Sequence, residues 1–170
     1  MKDGMSMNDE VSFQAGKKQR DGISIGSNMS LALFGADGVL KEKREAHNTV
    51  TTLCHALCAD IIEGSPSIIK PGWMEVGTGT GQGASDSILA TYISGSRTAL
   101  DSSSATAAVL TMICTMAAGV GTGAITEAGV FNVVTQNTTD LLLVASFAAV
   151  NKGADDSLVI TWTLTFANPA

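Results

Sequence analysis

The sequence predicts a mainly β protein: an antiparallel β-sandwich or jelly-roll-like body with one helix and an extended N-terminal arm. Composition supports this, because only 15% of the 170 residues are charged while 45% are hydrophobic, and small residues abound with 18 Thr, 16 Ser and 18 Gly. Short apolar runs are separated by turn signals roughly every 8–12 residues, which is typical of sandwiches. The final run alternates strictly between large apolar and β-branched residues over 158–166.

The first structured segment is a predicted hairpin over residues 30–40. Its sequence, SLALFGADGVL, places Gly35-Ala36-Asp37-Gly38 between two apolar runs. Asp and Gly tolerate positive φ, so this dipeptide favours a tight turn. The charged run KEKRE at 41–45 is expected at the exposed end of this hairpin.

One helix is predicted at about 48–63. Asn48 is a suitable N-cap, and Gly64, Ser65 and Pro66 stop the pattern. The apolar residues that recur at helical spacing are Val50, Leu53, Cys54, Leu57, Cys58 and Ile61.

After Pro71 the sequence predicts β structure throughout. Strands are expected at 73–76, 107–116, 127–131 and 141–150, with turns at the glycine loop 77–83 and at 119–123. In the last strand one face is predicted to consist of Leu158, Ile160, Trp162, Leu164 and Phe166, and the other of Val159, Thr161, Thr163 and Thr165.

We expect an arm, 1–28, and a body, 29–170, and charge is unevenly distributed along the chain. Residues 1–70 carry 8 basic and 9 acidic side chains, whereas 71–170 carry 2 and 7. Residues 1–22 lack periodicity and contain Lys17, Lys18 and Arg20, so we expect an arm that orders against a partner, with a solvated tail as the alternative. A net charge of −6 and a pI near 4.7 disfavour nucleic acid as a partner.

The three cysteines, Cys54, Cys58 and Cys114, do not resemble a disulfide framework, so reduced thiols are expected. The N-terminal region has no apolar segment typical of a signal peptide, and the apolar run 105–120 is too short for a bilayer. We therefore expect a cytosolic product without a membrane partner.

The glycine loop is the first candidate for chemistry. Residues 79–84 fit G-x-G-x-x-A after a strand, as in a dinucleotide site. No strong helix follows the loop, no second βαβ unit is indicated and no lysine follows as in a P-loop. A structural turn is the favoured interpretation and nucleotide binding a minor alternative.

Metal and catalytic sites are weakly indicated, and we expect neither cofactor, metal nor enzymatic activity. On a helix Cys54 and Cys58 would share a face, but His55 would point about 100° away, and a closed zinc site needs four convergent ligands. Nucleophilic catalysis needs a base near the nucleophile, yet His47 and His55 both precede the β strands expected after Pro71. The acids of the body are scattered: Glu75, Glu127, Asp140, Asp155 and Asp156.

Three large or charged side chains are expected to anchor the core or an oligomer interface. Trp73 and Trp162 are favoured as such anchors over sugar platforms. Arg97 is almost alone among acids, so an ion pair between subunits is one interpretation and a plain surface position the favoured one.

The order of the motifs resembles a group of tailed-bacteriophage virion proteins with the pattern GTGT…ITEAGLFN…INK…DTLTITWTIT. The matching pieces are the glycine loop 77–83, ITEAG at 125–129, VNKG at 150–153 and the strand 158–166. The resemblance covers about residues 30–170 and excludes the arm. The sequence is also similar, but more weakly, to the phage tail-collar fibre family.

The resemblance implies a virion structural β-protein, assembled in the host cytoplasm and located on the capsid surface or the tail. The leading hypothesis is a capsid decoration (cement) protein that forms a homotrimer and binds the major capsid protein through Lys17, Lys18 and Arg20. The alternative is a tail-collar or tail-fibre adaptor that binds tail or neck proteins.

Overall fold

A computed structural model describes residues 23–64 and 66–167. Within them lie nine strands and one helix, so the prediction of a mainly β fold is confirmed. The elements are β1 Ser24–Phe34, β2 Leu40–Val50, α1 Thr52–Glu63, β3 Trp73–Gly77, β4 Thr98–Ala99, β5 Ser102–Thr106, β6 Val109–Met116, β7 Gly123–Phe131, β8 Leu141–Lys152 and β9 Ser157–Ala167.

The described strands form one antiparallel sheet in the order β4-β3-β7-β8-β2-β1-β9-β6-β5. Strand β2 joins two parts of it. Its first section pairs with β1, whereas Asn48, Thr49 and Val50 pair with β8. We call β2, β1, β9, β6 and β5 the β9 half, and β8, β7, β3 and β4 the β7 half. The nine described strands form one curled sheet, and both of its halves contribute to one apolar core.

Strand β9 shows how the period-2 pattern builds this core. Leu158, Ile160, Trp162 and Leu164 are buried, while the alternate residues are half-buried or exposed, as predicted. Fully burying one large apolar side chain contributes about 1.5–3 kcal/mol. Met29 of β1 and Met112 of β6 flank Trp162 in the register and are also buried.

The predicted hairpin is confirmed, but both of its strands are longer than expected. Gly38 adopts a φ of +76°, and the Val39 amide donates to Asp37 Oδ1 at 3.0 Å. Strand β1 begins at Ser24 and pairs with β9 from there, so residues 24–28 belong to the sheet and not to the arm. Residues 41–45 lie within β2, which continues to Val50.

The helix begins four residues later than predicted. Asn48 is not its N-cap, because Asn48 lies in β2 opposite Ala145 of β8. Thr51 caps the helix instead, its Oγ1 accepting a hydrogen bond from the Cys54 amide at 3.3 Å. Cys54 and Leu57 are buried, but Ile61 is 55% exposed, so the predicted apolar stripe enters the core only in its first half.

The region 98–108 differs most from expectation. Ala107 takes a φ of +51° in the turn between β5 and β6, so β6 starts at Val109 instead of 107. Strands β4 and β5 were not predicted, because their small residues, Thr98-Ala99 and Ser102–Thr106, show no apolar alternation. Strand β5 forms one end of the sheet.

Candidate functional site

The glycine loop folds around a buried carboxylate from the same chain. Glu127 of β7 is fully buried, and its Oε1 accepts hydrogen bonds from the backbone amides of Gly79 at 2.9 Å and Thr91 at 2.8 Å. Its Oε2 accepts from the Ala90 amide at 3.1 Å and from the side-chain amide of Gln82. The carboxylate is thus held by four donors, three of them on the backbone.

Glycine is required where the loop passes this carboxylate. A Cβ added at Gly79 would lie 2.5 Å from Ala90 Cβ and 2.6 Å from Glu127 Oε1, and one at Gly77 would meet Glu127 Oε1 and the Thr91 carbonyl. No carbon fits at such distances. At Gly83, by contrast, an added Cβ meets nothing within 4 Å. The first glycines of the loop therefore permit close packing on Glu127.

This geometry explains the dinucleotide-like spacing without a phosphate. A phosphate-binding loop directs free backbone amides toward the ligand. Here the Gly79 amide and the neighbouring amides of Ala90 and Thr91 point at Glu127, a negative charge already in place. A phosphate brought to these donors would have to displace a buried carboxylate.

A second buried cluster is centred on Arg97. Its guanidinium donates to Glu75 Oε2 from Nη2 at 2.7 Å and to Asp140 Oδ2 from Nη1 at 2.8 Å. Nη1 also donates to the Val133 carbonyl at 2.7 Å, and Cζ lies 3.6 Å from the centre of the Phe131 ring. The Arg97 side chain is only 3% exposed. The expected surface position is therefore wrong, and the charge is paired within the chain.

Hydrogen bonds also occupy the remaining oxygens of both acids. Asp140 Oδ1 accepts from the Thr138 hydroxyl at 2.7 Å, and Glu75 Oε1 accepts from the side-chain amide of Gln136. Gln136 in turn accepts from the Gly95 amide at 2.8 Å. Such full satisfaction is what makes a buried ion cluster tolerable. Neither carboxylate has a free oxygen for acid–base chemistry.

The segment VNKG at 150–153 and the turn after it form internal contacts. In the VNKG segment Lys152 is buried, its Nζ donates to the Ala117 carbonyl at 3.0 Å, and burial lowers the pKa of Lys152. Asp156 accepts from the Gly153 amide at 2.9 Å and pairs with Lys41 at 3.0 Å. The hydrogen bond from the Gly153 amide lowers the pKa of Asp156 most, and the hydrogen bond from Lys41 lowers it further. These contacts fix the turn between β8 and β9.

The two tryptophans occupy different positions. Trp162 is fully buried at the centre of the core, and its Nε1 donates to the Ser27 hydroxyl at 3.1 Å. Trp73, at the start of β3, is half-buried and packs against the smaller apolar cluster that includes Phe131. Neither ring forms an exposed platform for a sugar.

The thiols lie in apolar surroundings. Burial raises the pKa of Cys54 to about 12 and that of Cys114 to about 12, and it also raises the pKa of the partly exposed Cys58. His55 is exposed on the helix. Residues 23–64 and 66–167 contain no group of three or more metal-ligating side chains. Within the same ranges no helix is long and apolar enough to cross a membrane.

The basic residues predicted to contact a partner, Lys17, Lys18 and Arg20, lie outside the described residues. Sequence reasoning missed the Glu127 and Arg97 clusters. Arg97 offered a signal, because a nearly solitary cation among acids is an obvious partner for two of them. Glu127 offered only its position within the ITEAG segment.

Taken together, the fold and its polar clusters define a β scaffold whose buried charges hold loops in place. The chain matches no family model, curated protein or solved structure.

Proposed function

We propose that the chain is a bacteriophage virion structural protein, most specifically a capsid decoration protein that binds the major capsid protein. One observation carries the proposal. The glycine loop 77–83 and the segment 125–129, two pieces of the phage-like pattern separated in sequence, meet at Glu127. The pattern therefore corresponds to one interlocked structural unit, which favours a scaffold role over catalysis.

The surface of the β9 half suits a protein that acts through many weak contacts. A row of hydrogen-bonding side chains crosses its five strands in register on the outer face, formed by Ser104, Thr111, Thr163, Asn28 and His47. These side chains are polar, and each is half-buried or exposed. Weak contacts of this kind gain avidity when they repeat over a shell.

The proposal assigns attachment to the N-terminal arm. Lys17, Lys18 and Arg20 form its basic cluster, whereas the body beyond Pro71 carries 2 basic and 7 acidic side chains. The arm as a whole carries 4 basic and 4 acidic side chains. Its basic cluster can nevertheless be attracted to an acidic capsid surface that repels the acidic body. Deleting residues 1–22 should leave the body folded, because β1 begins at Ser24.

Location and copy number on the particle test the proposal. Virions of the phage that encodes the chain would be purified, the copy number measured by quantitative mass spectrometry and the position by cryo-microscopy. Hundreds of copies on the capsid lattice support decoration. A handful near the tail vertex would indicate the tail-collar or fibre adaptor instead, and absence from the virion would overturn both.

The arm is tested separately by adding purified protein to particles that lack it. Full-length protein should sediment with these particles, and protein lacking residues 1–22 should not. Circular dichroism of the truncated protein shows whether its β structure is retained. Undiminished binding by a folded truncated protein would contradict the role of the arm.

A further inference from the structure

Strand β5, Ser102–Thr106, is the terminal strand of the β9 half, and one of its edges is unpaired within the described residues. It pairs with β6 on one side, and no described residue pairs with its other side. All five of its residues are exposed. In an antiparallel edge strand every second residue directs its N–H and C=O groups away from the sheet, so β5 presents unused backbone donors and acceptors.

The other open edges differ from this one. Between residues 40 and 47 β8 does not reach, so β2 has no described partner on one side there, but it carries the charged run 41–45. Arg44 and Glu42 lie opposite Leu31 and Leu33 of β1, on the face that those leucines bury. Charged side chains on an edge strand hinder its pairing with another strand. At the opposite end of the sheet β4 is only 2 residues long.

Strand β5 has none of these protections. Its sequence, SSSAT, contains no charge and no proline, and its register with β6 is regular from Ser102 to Thr106. In a chain of net charge −6, two copies repel each other over most of their surfaces. The neutral edge is a place where two copies can approach without opposing charges of the same sign.

We propose that β5 pairs antiparallel with β5 of a second copy about a two-fold axis through Ser104. This register places Ser102 opposite Thr106 of the other copy and Ser103 opposite its Ala105. All of these side chains are small, so the backbones can approach to hydrogen-bonding distance. The flanking Asp101 would lie opposite Ala107, so no acidic residue faces its own copy.

The pairing is self-complementary, as a two-fold interface requires. It joins the β9 halves of two copies into one continuous sheet, with their outer faces side by side. One short strand pair buries less area than a stable interface of roughly 1,600 Å². The contact is therefore expected to be weak and concentration-dependent in solution. It does not depend on whether the protein decorates a capsid.

Ser104→Lys tests the axis, because it places two like charges directly opposite each other. The expected result in sedimentation velocity over a concentration series is self-association at least about fivefold weaker than in the unaltered protein. Thr115→Lys is the matched control: it adds the same charge to the exposed part of β6, on the same face but away from the β5 edge, and should leave association unchanged.

Charge reversal distinguishes β5 pairing from other contacts. An equimolar mixture of the Ser104→Lys and Ser104→Glu proteins should regain association, while each protein alone stays weak. Amide hydrogen exchange at residues 102–106 should slow as the concentration of the unaltered protein rises. The proposal is overturned if the unaltered protein stays monomeric throughout, if Ser104→Lys has no effect, or if the mixture does not recover.

Discussion

Replacing Glu127 should destabilise the body, because its buried carboxylate is the acceptor that holds the glycine loop. Two variants separate the contributions: Glu127→Gln keeps the shape of the side chain, and Glu127→Ala removes the acceptor altogether. The native carboxylate is fully buried and accepts from three backbone amides and from Gln82. Both variants leave the glycine residues of the loop unchanged.

The magnitude follows from counting donors. In the alanine variant three part-buried hydrogen bonds from backbone N–H groups lose their acceptor, and each N–H group costs about 1–3 kcal/mol where it stays unsatisfied. Even at the lower limit, with the side-chain amide of Gln82 also unpaired, we expect a loss of about 4 kcal/mol. The glutamine variant keeps an oxygen toward Gly79 and Thr91, but its bonds are neutral and its NH₂ group faces the Ala90 amide. We expect a loss of about 2 kcal/mol.

Urea unfolding followed by tryptophan fluorescence measures both losses at a fixed protein concentration. With an m-value of about 2 kcal/mol/M, the midpoint should fall by about 2 M for the alanine variant and about 1 M for the glutamine variant. The matched control is Glu45→Gln, because the Glu45 side chain is 75% exposed and pairs only with the exposed Lys43. That change should stay within about 0.5 kcal/mol.

The outcome that refutes this reasoning is specific. If the free energy of unfolding of Glu127→Gln lies within about 0.5 kcal/mol of that of the unaltered protein, the carboxylate does not hold the loop. The dinucleotide-like spacing would then need another explanation. If NAD or ATP then raised the melting temperature of that variant but not of the unaltered protein, this result would show that the loop amides donate to a phosphate once the carboxylate no longer competes.

Four further measurements test the rest of the structure. Gly79→Ala should lower stability by at least about 1–3 kcal/mol because its Cβ overlaps Ala90 and Glu127, whereas Gly83→Ala should be near neutral, both measured by urea unfolding. Arg97→Met should cost about 3–5 kcal/mol in the same assay, because it leaves two buried carboxylates unpaired, and a near-zero change would contradict the ion cluster. Trp162→Ala should also cost about 3–5 kcal/mol, and a negligible loss would place its ring outside the core. In thiol labelling at pH 8 the two cysteines with a pKa of about 12 should react only after unfolding, leaving Cys58 as the single thiol modified in the native protein.

Most of the correctly predicted elements depend on patterns of residues that are close in sequence. The period-2 alternation in β9 depends only on which residues face the core, so it predicted the burial of Leu158, Ile160 and Trp162 correctly. The hairpin at 35–38 was equally local. The start of the helix does not depend on local sequence alone, because the pairing of Asn48 with Ala145 keeps that segment in β2. No pattern around residue 48 reports on a strand almost a hundred residues later.

The polar clusters were harder to foresee for the same reason. Glu127 reaches an amide 48 residues away, and Arg97 joins acids 22 and 43 residues away. The spacing of residues within a single strand or helix does not predict contacts between residues so far apart in sequence. Only the charge balance of the body indicated that a solitary arginine needs acidic partners. The small-residue edge strand β5 was missed because exposed Ser and Ala give no hydrophobic period.

The buried clusters and the exposed edge lead to opposite expectations for mutation. Glu127 and Lys152 are buried in the body, so changes there should alter stability and leave association between copies unchanged at temperatures where the protein is folded. Ser104 is exposed, so Ser104→Lys should alter association. At concentrations where the protein is monomeric, it should leave the free energy of unfolding within about 0.5 kcal/mol of that of the unaltered protein. If Ser104→Lys instead lowered the stability of the monomer, β5 would contribute to the core. If Glu127→Gln weakened association without lowering stability, Glu127 would act on the interface and not on the loop.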